Sequence, residues 1–401
     1  MNEFQNKIKE GIIRLESENK SKDVYLLHHN DADGISSGYI LDQIFKKKNY
    51  NVYRICLEKP YPKVIKSIHK NKGLIVYADF GSRMAPIISR LNNKKNLVLI
   101  LDHHKPTKIK DKSIISINPM FHDIKGDKEI SAAGVCYLFG KIWDKEMEKL
   151  SYLSLVGAIG DGHINNNSLS FIYQEIIDEA VNNNVIKFDN KNNNYYLVNT
   201  KKKIFLKEIE NKITTLGALG YYSGGVKKAF DLINADFLDK DIINYKNQLE
   251  YKKNIAFNQL ENDLKKGGLK YLEKIQWFDS KWFFHDFGVK TVGLFCSYLR
   301  KKEYIKKNCY IVGLQPLPPY IPQIGTISFS DYKVSVRCSK EMEQEIRMGK
   351  IFSIADILPE ATKRVDGFID ACHSNAGATV IAIDRRDEFV KAFNNLAVQG
   401  Y

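Results

Sequence analysis

The chain has few cysteines and no long apolar run, and each shortage argues against a class of protein. Its 6 cysteines, among 401 residues, include no Cys-x-x-Cys pair, which argues against a disulfide-stabilised protein and fits reduced thiols in a cytoplasm. No stretch approaches the roughly 18 apolar residues that a membrane-spanning helix needs. The first residues also lack an apolar core of signal-peptide length. The sequence therefore predicts a cytoplasmic protein with no membrane partner.

The chain is basic, with 61 Lys and Arg against 47 Asp and Glu and a formal net charge of +14. This excess favours a polyanionic partner, because contacts to phosphates supply much of a protein's affinity for nucleic acid. The lysine clusters are interleaved with Asn and Glu, so a lysine-rich composition spread over solvated faces is the alternative. Charge alone favours nucleic acid without deciding between the two.

Four segments place acidic or imidazole side chains directly after apolar runs. The runs at 24–27, 74–77 and 96–101 are short and uninterrupted, as expected of buried parallel strands. The run at 151–156 has a length compatible with either a strand or a buried helix. Ligands of open α/β sheets gather at the carboxyl ends of the strands. The four segments are His29-Asn30-Asp31-Ala32-Asp33-Gly34, Ala78-Asp79-Phe80, Asp102-His103-His104 and Gly157-Ala158-Ile159-Gly160-Asp161.

These side chains suit one kind of chemistry, the metal-assisted hydrolysis of a phosphoester. Carboxylate oxygens together with imidazole nitrogens suit Mn²⁺ or a similar ion, and a carboxylate can bridge two ions about 3.5–4 Å apart. Such a pair generates a hydroxide and neutralises charge on the phosphoryl oxygens, so no side-chain nucleophile is needed. A single Asp after a strand is more often a turn residue or a helix N-cap. The joint pattern is what predicts a metal site.

The four segments resemble motifs I to IV of the DHH phosphoesterase superfamily, whose name comes from the Asp-His-His triplet found at 102–104. The form His-x-Asp-x-Asp-Gly, the stretch Ile117-Asn118-Pro119 and the stretch Glu129-Ile130-Ser131-Ala132-Ala133-Gly134-Val135 are most similar to archaeal RecJ-like single-strand exonucleases. The resemblance covers residues 22–165. It implies a two-lobed α/β protein, in which a long helix joins an N-terminal parallel-sheet DHH domain to a smaller α/β DHHA1 domain.

The resemblance also implies a role for each position in the N-terminal half. His29 and Asp31 would hold one metal ion, with Asp79 bridging to a second. His104 would face the scissile phosphate, and Asp102 would orient an imidazole, as carboxylates do beside metal-bound histidines. The expected ions are two, Mn²⁺ with Mg²⁺ as the alternative. The second ion would be held by Asp33, His103 and Asp161.

Two further histidines lie beside these motifs. His28 points to the opposite side of an extended segment from His29, so it is left out of the site. His163 follows Asp161 by two positions. We expect it to be a solvent-exposed loop residue, with a contact to substrate as the alternative.

Two positions in the C-terminal half are predicted substrate contacts. Arg337 ends an alternating strand, and His373 lies among small residues that let a backbone approach a phosphate closely. The segment 367–379 resembles the Gly-Gly-Gly-His motif of DHHA1 domains, although Asp370-Ala371-Cys372 stands where glycines are usual. The alternative is an ordinary strand arginine and a buried histidine.

The predicted organisation has three parts. The DHH catalytic domain occupies 1–190 and begins with a helix. A mostly helical connecting region at 191–271 contains one long helix, which begins near Asp241 and ends at Gly267-Gly268. The DHHA1 domain occupies 272–401. Its predicted strands are at 281–287, 310–313, 324–329 and 332–337.

The function predicted from these features is metal-dependent exonucleolytic cleavage of single-stranded DNA or RNA, in replication or repair, with replication-complex proteins as further partners. One alternative is a phosphodiesterase acting on oligoribonucleotides or cyclic dinucleotides. Another is an inorganic pyrophosphatase, which would be expected to carry more basic phosphate-binding residues. The third is a non-catalytic replication-complex scaffold, which would be expected to have lost some of the six metal positions present here.

Overall fold

The computed structural model describes residues 2–164, 169–198 and 200–399, and the chain divides into two compact units. Both units are α/β, as predicted. Residues 191–271, predicted as a separate connecting region, are divided between the two units. The first unit comprises Met1–Gly217, Gly224–Lys246 and Pro322–Ile324, and the second comprises Ala218–Ser223, Asn247–Ile321 and Gly325–Tyr401.

The first unit is built on a five-stranded parallel sheet in the order β2-β1-β3-β4-β5. Every residue of β3 and β4 is buried, which explains their uninterrupted apolar sequences. From β1 the chain moves to β2 on one side and later to β3 on the other, so a crevice opens at the carboxyl ends of β1 and β3. The three predicted strands are confirmed. The strands are β1 Asp23–His28, β2 Asn51–Cys56, β3 Leu74–Ala78, β4 Val98–Leu101 and β5 Ile114–Ile117.

Helices cover this sheet and continue into the connecting region. The N-terminal helix is confirmed, and it buries Phe4, Ile8 and Leu15 completely. The run at 151–156, which sequence left open, belongs to a helix. None of the described helices combines the length and apolarity needed to cross a bilayer. The helices are α1 Asn2–Glu18, α2 Ala32–Lys47, α3 Pro62–Ile68, α4 Ala85–Asn92, α5 Ala132–Trp143, α6 Ser151–Gly160, α7 Phe171–Asn182, α8 Leu206–Leu219, α9 Gly225–Asn234 and α10 Lys240–Asp263.

A hairpin turn and the end of a long helix in this region lie where asparagine and glycine residues are found in the sequence. Residues 190–193 of the asparagine-rich stretch form the turn of a hairpin between β6 Ile186–Asp189 and β7 Asn194–Leu197. The predicted long helix is α10, and it passes into one wider turn at Leu264–Gly268. Gly267 has φ +107° in that turn, a conformation that glycine adopts without strain and that ends the helix.

The second unit contains a six-stranded mixed sheet in the order β14-β15-β13-β10-β9-β8. One face carries the core, in which Val334 and Val336 pack with helix residues such as Ile354 and Phe389. On the other face α11 packs against β13. The strands are β8 Lys270–Tyr271, β9 Ile275–Asp279, β10 Tyr310–Pro316, β11 Tyr320–Ile321, β12 Gly325–Thr326, β13 Asp331–Arg337, β14 Phe368–Cys372 and β15 Ala376–Ala382. The helices are α11 Thr291–Leu299, α12 Lys340–Arg347, α13 Ile354–Lys363 and α14 Arg386–Gln399.

Two of the predicted strands in this unit are wrong, whereas β10 and β13 confirm the other two. Residues 281–287 form successive turns, because the Asp279 carboxylate accepts the Lys281 N–H at 2.7 Å and Lys281 adopts φ +49°. The strand lies just before them, as β9. Of residues 324–329 only Gly325–Thr326 is a strand, and Gly325 has φ +101°, which interrupts an extended run.

Candidate metal centre

The carboxyl ends of three neighbouring strands bring the predicted ligands together. In the sheet His28 pairs with Ala78, and Ala78 pairs with Leu101. The next residues along the chain, His29, Asp79 and Asp102, therefore begin loops at the same edge, where the crevice opens. The structure brings all six predicted metal positions to this edge.

One cluster consists of His29, Asp31 and Asp79, whose ligand atoms lie within 4.8 Å of one another. The Nδ1 atom of His29 is 2.9 Å from Asp31 Oδ2 and 3.4 Å from Asp79 Oδ2. Its Nε2 lies 3.1 Å from the Glu58 carbonyl, which can only accept, so Nε2 carries a proton. In a neutral imidazole, Nδ1 then carries a lone pair, which faces the two carboxylates. A cation at that point would relieve the repulsion.

The second cluster surrounds His103. Its Nε2 is 3.4 Å from Asp161 Oδ2, 3.5 Å from Asp79 Oδ1 and 3.9 Å from Asp33 Oδ2. The opposite ring nitrogen donates to the Gly126 carbonyl at 2.6 Å, so the ring cannot turn away. The Nε2 atom is buried and makes no hydrogen bond within the described part of the chain.

Asp79 connects the two clusters, with one carboxylate oxygen near His29 and the other near His103. Its backbone has φ +67°, a left-handed conformation that costs free energy in most residues but is tolerated by Asp and Asn. Burial, and then the charge of Asp33, raise the pKa of the Asp79 carboxyl well above its usual range. Burial opposes a charged His103, yet Asp79, Asp161 and Asp33 raise the pKa of that imidazole well above its usual value.

Asp33 is held by a helix N-terminus. Its carboxylate oxygens accept the N–H groups of Ala132 and Ala133, the first residues of α5, at 2.8 and 2.9 Å. Two of the N–H groups that a helix leaves unpaired thus stabilise a buried anion. A Cβ at Gly157 would lie 2.3 Å from Asp33 Oδ1, so glycine is required there. Sequence reasoning noted both motifs without finding that they hold Asp33.

Asp102 is a buried carboxylate that fixes the loop of the triplet. It accepts N–H groups from Ser82, His103 and His104, at 2.8, 2.8 and 3.1 Å, and lies 2.8 Å from His104 Nδ1. Burial would raise the pKa of Asp102, but the charge and hydrogen bond of His104 hold it far below its usual range. The His104 side chain is 58% exposed, so its outer nitrogen can reach a substrate.

The two neighbouring histidines differ in outcome. His28 is buried, contacts Phe230 and lies outside both clusters, and burial lowers its pKa to about 4. The expectation of an exposed His163 is wrong, because its exposure is only 6%. It forms a third group with His103 and Asp161, again within 4.8 Å. Its position follows from the end of α6 and was not evident from sequence.

Arg337 and His373 lie in the second unit, at the same end of its sheet. Arg337 pairs in register with Ala376 of β15, and its Nε donates to Ser297 Oγ at 3.2 Å. His373 is exposed in the turn between β14 and β15, where its N–H donates to the Ala376 carbonyl at 2.8 Å. The alternative of a buried His373 is therefore wrong. Asp370 stands where DHHA1 domains usually have glycine. Its charge is balanced here, because it forms an ion pair with Lys333.

Comparisons with known proteins find relatives of the part of the chain that carries most of this site. Residues 23–158 match the DHH family, N-terminal domain. An uncharacterized protein of Methanocaldococcus jannaschii is 36% identical over 126 residues, 29% of this chain and 28% of that protein. A putative single-strand DNA-specific exonuclease from the SPbeta prophage of Bacillus subtilis is 26% identical over 134 residues, 33% of this chain and 23% of that protein. The matches thus span about a quarter of these curated relatives.

Solved structures resemble the whole chain in fold. RecJ from Thermus thermophilus, crystallised with Mn²⁺, has a TM-score of 0.64 and 14% identity, covering 99% of this chain and 55% of RecJ. A second manganese-bound RecJ exonuclease has a TM-score of 0.62 and 14% identity, covering 98% of this chain and 94% of that protein. At this identity the likeness establishes the fold. The predicted DHH resemblance and α/β fold class are confirmed.

The donor set fits divalent ions. Four carboxylates and two imidazoles face one another across the two clusters, and the buried nitrogen of His103 has no hydrogen-bond partner among the described residues. Two of these carboxylates, Asp33 and Asp79, are buried, and neighbouring buried carboxylates are unfavourable unless cations balance their charge. A site with imidazole as well as carboxylate ligands suits Mn²⁺ or a similar transition metal better than it suits Mg²⁺, which takes oxygen ligands.

Proposed function

Because residues 23–158 carry a DHH-family domain, we propose that this protein is a two-metal phosphodiesterase that removes nucleotides from an end of single-stranded nucleic acid. The observation that carries the proposal is Asp79, which presents one carboxylate oxygen to each of two ligand clusters. His29 and Asp31 would hold one ion. Asp33, His103 and Asp161 would hold the other. Bound ions of this kind supply a water of lowered pKa and neutralise charge on the phosphoryl oxygens.

The remaining groups of the centre would position the substrate. Asp102 holds the His104 imidazole by its Nδ1, which leaves Nε2 directed away from that contact and available to a phosphate oxygen. Since the ring is fixed before substrate arrives, little ordering entropy is lost when the contact forms. Arg337 and His373 of the second unit would hold the nucleotide end. A cytoplasmic location and a role in replication or repair belong to the same proposal.

A groove in the second unit favours long strands over dinucleotides as substrates. It has a volume of about 1110 Å³ and is lined by six basic side chains and three acidic ones. Arg300 pairs with Glu343, and Lys307 pairs with Glu341. The basic residues are Lys253, Arg300, Lys301, Lys302, Lys307 and Lys340, with Tyr298 and Phe257 between them.

The composition of this groove matches a nucleic-acid backbone. Lys301 and Lys340 form no ion pair with any described residue, so their charges are available to phosphates. Ser297, which accepts the Arg337 hydrogen bond, also lines the groove. Basic side chains interleaved with aromatic rings bind single strands with little sequence preference. The groove would therefore extend the proposed phosphate-binding surface beyond Arg337.

The direct test of the proposed function is incubation of end-labelled single-stranded DNA and RNA with the full chain and Mn²⁺, resolved on a gel. We expect products shortened from one end, and none with a chelator present. Preferential cleavage of dinucleotides or cyclic dinucleotides would favour the small-substrate alternative. Release of phosphate from pyrophosphate alone would favour the pyrophosphatase. Binding of Mn²⁺ without hydrolysis of any substrate would favour a scaffold.

A salt series separates strand from dinucleotide substrates. Each neutralised phosphate adds affinity that falls with salt, so a strand of about twenty nucleotides should be cleaved faster than a dinucleotide at low salt, with a shrinking gap as salt rises. The double variant Lys301→Glu, Lys340→Glu should slow the long substrate only. Lys350→Glu, an exposed charge reversal outside the groove lining, is its control. Equal slowing on both lengths would remove the groove from the proposal.

A further inference from the structure

The end of helix α6 places two side chains, separated by one residue, in the same cluster. Asp161 caps the helix, and Gly162 follows with φ +74°. The Gly162 N–H donates to the Ile159 carbonyl at 3.2 Å, and the His163 N–H donates to the Ala158 carbonyl at 2.8 Å. This pair of hydrogen bonds is a Schellman motif, which needs a left-handed residue at the Gly162 position. The chain therefore folds back, and His163 lies over the end of α6 instead of continuing outward.

The His163 ring lies beside the metal centre, close to the rings of His103 and Tyr173. Its centroid lies 5.8 Å from that of His103 and 6.3 Å from that of Tyr173. One of its ring nitrogens, a His103 nitrogen and an Asp161 oxygen lie within 4.8 Å of one another. The Nδ1 atom is buried and has no hydrogen-bond partner among the described residues.

A histidine buried for packing alone would be expected to satisfy its ring nitrogens. His69, elsewhere in the first unit, does so, since its two nitrogens contact Asn92 and Tyr77 at 3.0 and 2.7 Å. The Nδ1 atom of His163 has no such partner among the described residues, and the ring faces a carboxylate and a second imidazole. The difference indicates a ligand, because an ion between these three groups would satisfy them together.

We propose that His163 is an additional ligand of the metal held by Asp33, His103 and Asp161. The inference rests on the proposed function, because it presumes the two-metal centre. Two imidazoles on one ion shift its preference towards Mn²⁺, Co²⁺ or Zn²⁺ and away from Mg²⁺, which prefers oxygen ligands. The side of the centre that contains His163 would thus select the metal, while the His29 side has only one imidazole.

The test measures metal binding on the full chain, independently of turnover. Titration calorimetry with Mn²⁺ and with Mg²⁺ is carried out on wild type, His163→Gln and His163→Asn. We expect Mn²⁺ affinity at one of the two sites to fall at least tenfold, with the other site unchanged and a smaller change for Mg²⁺. His122→Gln, at a partly exposed histidine outside all three groups, is the matched control and should bind like wild type.

A second measurement needs no variant. Pulsed electron paramagnetic resonance on the Mn²⁺-loaded wild type counts coordinated imidazole nitrogens, and we expect three for the filled centre against two without His163. A count of two overturns the inference even if both variants misfold. Unchanged Mn²⁺ affinity in folded variants, with a raised KM, also overturns it and makes His163 a phosphate contact. Failure of wild type to bind any Mn²⁺ contradicts the proposed function itself.

Discussion

Replacing Asp79 by Asn tests the bridging role with little disturbance of the backbone. Asp79 has φ +67°, a conformation that Asn tolerates about as well as Asp, whereas Ala would add strain. The amide keeps the shape of the side chain but offers one uncharged oxygen in place of two charged ones. It can therefore serve at most one of the clusters that the carboxylate reaches at 3.4 and 3.5 Å.

The loss of activity follows from these two contacts. Contacts to charged groups contribute about 1.5–3 kcal/mol each. Losing one of them raises the barrier by about 1.5–3 kcal/mol, and losing both raises it by about 3–6 kcal/mol. Turnover should therefore fall by at least roughly tenfold, and by up to roughly 10⁴-fold if neither contact is kept. The same substitution should increase the stability of the metal-free protein, although it lowers turnover. Burial and Asp33 disfavour the charged Asp79, so the uncharged variant should gain about 1–2 kcal/mol, which raises Tm by about 2–4 °C per kcal/mol.

The assay combines single-turnover cleavage of labelled single-stranded DNA with thermal melts in chelator. Asp123→Asn is the control, because Asp123 is exposed and also left-handed, with φ +57°, but lies outside the clusters. It should change neither quantity. A folded Asp79→Asn protein that keeps more than about a tenth of wild-type turnover would refute the bridging assignment. A lower Tm in chelator would refute the electrostatic account of Asp79.

Three further predictions concern other parts of the protein. Elemental analysis should find less Mn²⁺ in His103→Ala and nearly normal content in His104→Ala; equal losses would contradict their division of roles. Arg337→Ala and His373→Ala should raise KM or lower kcat on dinucleotides and long strands alike, and unchanged kinetics would exclude both as contacts. Burial opposes ionisation of Glu261, but its tyrosine and lysine partners lower its pKa to about 2. The ionised carboxylate therefore stabilises the fold fully above pH 4.5, and this stabilisation is lost as the pH falls towards 2. Glu261→Gln should cost about 1–2 kcal/mol at pH 7 in urea melts, with a gap from wild type that closes in acid; a constant gap would contradict this.

Local chemistry allowed the sequence to determine three of the five strands of the first sheet, together with the composition of the site. Short apolar runs without polar interruption favour strands buried on both faces. Asp or His directly after such strands then lies at one edge of a parallel sheet. Glycine and asparagine also favour turns through their own backbone preferences, whatever the rest of the fold. For this reason α10 and the hairpin turn were predictable, as was the convergence of His29, Asp79 and His103.

Tertiary structure alone decided what depends on a partner distant in sequence. Asp33 accepts hydrogen bonds from the amides of Ala132 and Ala133, about a hundred positions away. No sequence pattern around Asp33 predicts that contact. The run at 151–156 could be strand or helix until its packing was known, because periodicity does not distinguish buried elements of that length. His163 looked like a loop residue, but the Schellman turn at Gly162 buries it beside His103. Sequence specifies which groups are available, whereas burial and the identity of each group's neighbours are properties of the folded chain.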